Sequence, residues 1–96
     1  MKLRYTRQAI ADLDDARTYI AEHNPAAATN MAGRIREAIN GLRQFPDRGR
    51  AGRVEGTREL VIPGTPFIVA YRSDGRSVDI LAILHAARRW PGEFHP

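Results

Sequence analysis

The chain has 96 residues, a formal net charge of +4 and no cysteine. That length gives one domain, residues 1–96, with core enough for two helices against one sheet. Lack of cysteine excludes disulfides, thiolate nucleophiles and cysteine zinc sites, and with no apolar leader or membrane-length apolar run the expected location is the cytoplasm.

Lys2–Tyr5 alternates and predicts a short first strand with Leu3 and Tyr5 on one face. Thr6 is a candidate N-cap for a helix to about Glu22, with Ile10, Leu13, Ala16 and Ile20 as its apolar stripe. His23-Asn24-Pro25 interrupts the chain; Asn24 suits an N-cap and Pro25 a first helical position. A second helix then runs to about Arg43 on Met31, Ile35, Ile39 and Leu42. Two amphipathic helices so closely joined fold back as an αα-hairpin. Gly33 is a candidate point of close helix crossing, and Ala26, Ala27, Ala28 and Ala32 leave helix two a shallow surface.

Phe45 to Arg53 reads as loop by composition. Strands are predicted at about 57–62, 66–72 and 77–84, joined by a Pro63-Gly64 turn and an Asp74-Gly75 hairpin. The last is apolar on both faces, which places it mid-sheet. The predicted order is β–α–α–β–β–β, an α+β fold whose helical hairpin packs on a small, mostly antiparallel four-stranded sheet.

The basic residues are nearly all arginine: of fifteen, Lys2 is the single lysine and the other fourteen are Arg. Arginine's planar fork binds carboxylate and phosphate bidentately. Five arginines lie between Arg43 and Arg58 against two acids, Asp47 and Glu55. The histidines, His23, His85 and His95, have no metal-ligand spacing, and no glycine-rich loop has phosphate-binding form; no metal or cofactor is expected. Tyr19 and Tyr71 read as core aromatics with bonded hydroxyls. Arg72 has Asp74 and Asp79 as candidate ion-pair partners.

Four stretches together carry a resemblance: the opening from Tyr5 to Leu13, Arg58-Glu59-Leu60 in strand two, Tyr71-Arg72 closing strand three, and Ile83-Leu84-His85 with Arg88 to Pro91. In this order and spacing they resemble the ParE/RelE superfamily of bacterial toxins, over almost the whole chain. These are the toxin halves of type II toxin–antitoxin pairs, once called plasmid stabilisation proteins. The resemblance implies one of two activities. RelE-like members are ribosome-dependent mRNA endonucleases; ParE-like members poison DNA gyrase without cutting RNA.

A nuclease of this kind needs a base, an acid and cations around the scissile phosphate. The resemblance offers Arg58 and Arg88 as candidate catalytic residues, and His85 and His95 remain as possible bases, with His85 the candidate taken. It places Phe67 where the nuclease pattern has arginine and Phe94 near its late ionisable aromatic. His85 also has a plain reading as a strand-end hydrogen-bonding residue. The ParE-like reading is therefore preferred: a gyrase inhibitor with Arg58, Arg72, Arg88, Arg89 and Trp90 as partner contacts. It implies a ParD-type antitoxin whose flexible C-terminal segment wraps the helical hairpin and the open face of the sheet. No membrane and no sequence-specific DNA binding by the toxin alone is expected; a small basic nucleic-acid-binding module is the remaining reading.

Overall fold

The structure, a computed structural model, describes residues 1–86. The elements are β1 (Lys2–Tyr5), α1 (Arg7–His23), α2 (Ala28–Gly41), β2 (Arg50–Ala51), β3 (Arg58–Val61), β4 (Phe67–Ser73) and β5 (Ser77–His85). The strands form one sheet in the order β1-β5-β4-β3-β2. β1 runs parallel to β5 and every other pairing is antiparallel. The α+β architecture agrees with the expectation from sequence, with five strands in place of four. The additional strand lies inside the stretch read as loop, where Arg50 pairs with Glu59 and Ala51 with Arg58. Two residues are too few to show alternation, so only the long-range pairing defines β2.

Thr6 caps α1 as its side chain accepts the Ala9 N–H at 3.1 Å, filling one of the orphan donors of the first turn. Ala9, Ala16 and Ile20 are buried with Leu13 packed against them, a spacing of four, three and four that keeps one helical face. Ile10, predicted to belong to this stripe, lies one step round the helix and is 53% exposed. Ala9 takes its place because a small side chain lets the helix axis approach the sheet. Before α2 the chain makes a separate turn over 25–27, with the Ala27 N–H donated to Asn24 Oδ1 at 3.3 Å. Asn24 thus caps that turn, and α2 starts at Ala28, later than predicted. Gly33 is exposed with nothing within 4 Å of a Cβ built there. It is therefore not the predicted close crossing.

Ile35 and Ile39 of α2, with Leu42 just past its end, meet Leu60, Ile62, Val69, Tyr71, Val78, Ile80 and Ile83 from one face of the sheet. The Pro63-Gly64 turn forms as predicted: Gly64 has φ +77°, and the Thr65 N–H donates to the Ile62 carbonyl at 3.2 Å, as a type II turn with proline then glycine requires. The second hairpin differs in its central pair. Gly75 has φ +88° while Asp74 does not enter the left-handed region. Asp74 instead precedes the tip, its carboxylate accepting the N–H groups of Arg76 and Ser77 at 2.9 Å each.

β5 lies between β1 and β4 and is buried along most of its length. Its register on β4 shifts by one at Ala70/Tyr71, leaving Leu81 as the extra residue of a bulge. Such a bulge frees ladder groups that need partners. Helix α1 supplies them: Thr6 Oγ1 donates to the Leu81 carbonyl at 2.9 Å, and Asp12 Oδ2 accepts the Ile83 N–H at 3.0 Å.

Candidate functional site

Of the candidate partner-binding residues, Arg58 and Arg72 fall among the described residues, on β3 and β4. Arg58 pairs across from Tyr71 at one end of β4, and cross-strand partners share a face. Its guanidinium turns inward to the loop, donating from Nη1 to the Gly49 carbonyl at 2.7 Å and to the Asp47 carbonyl at 3.4 Å. Nη2 stands 3.5 Å from the Asp47 carboxylate. Arg58 therefore braces the loop with most of its donors.

The same loop is pinned from beneath by Tyr71. Its hydroxyl donates to the Pro46 carbonyl at 2.6 Å and accepts the Gly49 N–H at 2.8 Å. Burial raises the Tyr71 pKa, an effect opposed by the Gly49 N–H and by the positive charge of Arg58. Glycine is required at position 49 because a Cβ would stand 2.7 Å from that hydroxyl. Glu59, only 3% exposed, holds the next part of the loop. Its carboxylate accepts the Arg53 N–H at 2.7 Å and an Arg50 Nη2 donor at 3.4 Å. The loop-holding role of Glu59 has no local signal in the sequence, where it stands between Arg58 and Leu60 as one charged strand residue among others.

Arg72 is one residue along β4 from Tyr71 and so faces away from the helices. Its cross-strand partner is Asp79, but Arg4 takes that carboxylate in a bidentate pair at 2.7 and 3.0 Å. Asp74, the other predicted partner, is held by backbone N–H groups; those of Ser77 and Arg76 lower its pKa. Among the described residues Arg72 has no ion pair. It lines a hollow of about 310 Å³ with Arg4, Tyr5, Thr6, Asp79 and Leu81, giving a cationic rim around a partly apolar floor.

His85 sits at the opposite end of β4, across from Phe67. Its ring meets Tyr19 and Phe67 edge-on, with centroids 5.1 and 5.5 Å apart, while Tyr19 stacks on His23 at 3.9 Å. Phe67 is 4% exposed and belongs to the core. Arg88, Arg89 and Trp90, together with Phe94 and His95, lie outside the described residues. The chain leaves the sheet through Ala86, whose N–H donates to the Pro66 carbonyl at 2.8 Å, at the far end of β4 from Arg72. Among the described residues no group of three or more acids or histidines is placed to hold a metal ion, and no helix is long and apolar enough to cross a membrane.

Comparison with known proteins matches residues 3–90 to the family model of the ParE toxin of the type II toxin–antitoxin system parDE. The chain belongs to the ParE toxin family of type II toxin–antitoxin systems. A proposed toxin of Sinorhizobium fredii, Y4kP, is 40% identical over 90 residues, covering 94% of this chain and 93% of that one. Toxin RelE2 of Caulobacter vibrioides is 37% identical over 84 residues, 88% of this chain and 93% of its own. Among solved structures, a chain of the chromosomal ParDE toxin–antitoxin system from P. aeruginosa superposes with a TM-score of 0.80 at 32% identity, covering 88% of this chain and 95% of that one. The relatives of this chain therefore carry names from both branches of the superfamily.

Proposed function

We propose that this toxin acts as ParE-like members do, by poisoning DNA gyrase in the cytoplasm, and that a ParD-type antitoxin encoded beside it keeps it silent through its C-terminal segment. The separation of Arg58 from His85, the two candidate catalytic residues among those described, carries this reading. Arg58 and His85 flank β4 on opposite sides, at positions opposite Tyr71 and Phe67. Those positions are four residue steps apart on the strand, about 13 Å along the sheet. An acid, a base and a cation acting on one phosphodiester must each lie within hydrogen-bond reach of it. Arg58 is engaged with the 47–49 loop, and Phe67 is buried where the nuclease pattern needs a cation. A toxin that grips its target needs no such convergence. In that reading Arg72, with its hollow, and Arg88, Arg89 and Trp90 are the contacts.

The test is purified gyrase with ATP and supercoiled plasmid. Addition of the toxin is expected to accumulate DNA cleavage complexes and inhibit supercoiling, and addition of the antitoxin to relieve both. No change in cleavage or supercoiling would count against gyrase as the target. The names of the Caulobacter relatives make the RelE-like reading the alternative. Site-specific mRNA cuts on translating ribosomes, abolished by Arg88→Ala, would establish that alternative instead.

A further inference from the structure

A groove runs between α2 and the β3–β4 turn, with a volume of about 410 Å³. Its floor is apolar, formed by Ala38, Ile62 and Pro63, and Arg34 and Arg48 stand on its rim. The Arg34 guanidinium reaches across to the turn: a Cβ at Gly64 would lie 2.5 Å from its Nη1. Arg48 lies over the ring of Phe45, 4.9 Å from its centroid. On the far side of Arg48 a second hollow of about 410 Å³ opens beside Phe45, which is 54% exposed. The two hollows share Arg48 as a wall, so the feature is elongated. Among the described residues neither Arg34 nor Arg48 is in an ion pair; Glu37 is the one acid on the rim of the first hollow, and Asp47, in the second, is paired with Arg58.

We propose that this groove seats an acidic segment of the antitoxin. An aliphatic side chain of that segment would enter over Ile62 and Pro63, while flanking carboxylates meet Arg34 and Arg48. The inference rests on the antitoxin reading above and deepens it by naming a seat and the chemistry that fills it. The apolar floor rewards burial of a hydrocarbon side chain, and two guanidinium forks at its rim, with no ion pair among the described residues, match carboxylates. A phosphodiester chain would gain mainly from the cations, since Arg48 already occupies one face of the Phe45 ring that could stack a base. A second copy of this chain would bring a like net charge of +4 to a cationic rim, which opposes self-association.

The experiment uses the full-length toxin and the purified antitoxin encoded beside it, with affinity measured by calorimetry. Ala38→Trp fills the first hollow, and the pair Arg34→Glu with Arg48→Glu reverses the rim. The pair Arg17→Glu with Arg76→Glu makes the same charge change on α1 and the β4–β5 turn. Both groove variants are expected to weaken the complex about tenfold or more, and the control pair to weaken it less, with circular dichroism and melting unchanged in the free variants. Hydrogen exchange on the wild-type complex is expected to show new protection at Ile62, Gly64 and Ala38, an outcome that needs no variant to fold. Unchanged affinity in both groove variants, or no new protection there, would overturn the groove while leaving the antitoxin reading intact. Failure of the wild-type toxin to bind would sink both. A concentration-dependent dimer of the free toxin that Ala38→Trp abolishes would assign the groove to a second copy instead.

Discussion

Two groups of arginines in this fold behave differently. Around the 46–53 loop, Arg58 and Arg50 direct their guanidinium groups at backbone carbonyls and carboxylates within the chain. Their neighbours Tyr71, Gly49 and Glu59 are buried, and each is part of the hydrogen bonding that fixes the loop. Along the α2 groove and the outer face of the sheet, Arg34, Arg48 and Arg72 have no ion pair among the described residues. An arginine-rich sequence therefore holds two populations, one bracing the fold and one available to a partner. The distinction is set by which acceptors the fold brings within reach, since a fork already bonded in a part-buried site cannot bind elsewhere without leaving acceptors unsatisfied.

Substitutions can break or sharpen that contrast. The largest effect is expected at Tyr71→Phe, which leaves the Pro46 carbonyl and the Gly49 N–H without their partner. Chemical denaturation is expected to show a loss of about 1–3 kcal/mol, with the antitoxin affinity of the folded fraction little changed. Arg58→Ala comes next: removing its bond to Gly49 is expected to cost about 1 kcal/mol and to raise hydrogen exchange within residues 47–49. Arg58→Ala with full stability and weakened partner binding would move Arg58 into the available group.

A smaller effect concerns Asp74, whose pKa is lowered by the N–H groups of Ser77 and Arg76. A carboxylate depressed in the folded state contributes stability above its unfolded value of about 4, lost as pH falls through the lower folded value. The urea midpoint of the wild type should therefore fall more steeply below about pH 4 than that of Asp74→Asn, which keeps an acceptor but no titrating charge. The smallest stability change is expected at Arg72→Ala, within about 0.5 kcal/mol of wild type. Its readout is instead a slower, less salt-sensitive association with the partner. An Arg72→Ala protein that melts clearly lower would place Arg72 with the bracing group.

Much of the fold was legible in the sequence because local rules govern it. Helical spacing marked both helices, Pro63-Gly64 named its own turn, and the two-sided apolar run 80–84 placed β5 inside the sheet. Where two registers fit one pattern, the reading failed. Ile10 and Ala9 both suit the face of α1, and only the packing of the folded chain buries the alanine and leaves the isoleucine exposed. β2 and the bulge at Leu81 left no local trace, since both are defined by hydrogen bonds to residues distant in the chain.

By itself the sequence determined the α+β class, the chain order of most elements, and the resemblance that the family comparison then bore out. Those follow from side-chain periodicity, turn chemistry and short motifs, which are properties of neighbouring residues. Only the tertiary structure decided which arginines brace the 46–53 loop and which, such as Arg34, Arg48 and Arg72, have no ion pair among the described residues. It put Arg4 on the carboxylate that sequence offered to Arg72, and set Arg58 and His85 at opposite ends of β4. A guanidinium's partner is chosen by strand register and loop closure, and both depend on contacts between residues tens of positions apart.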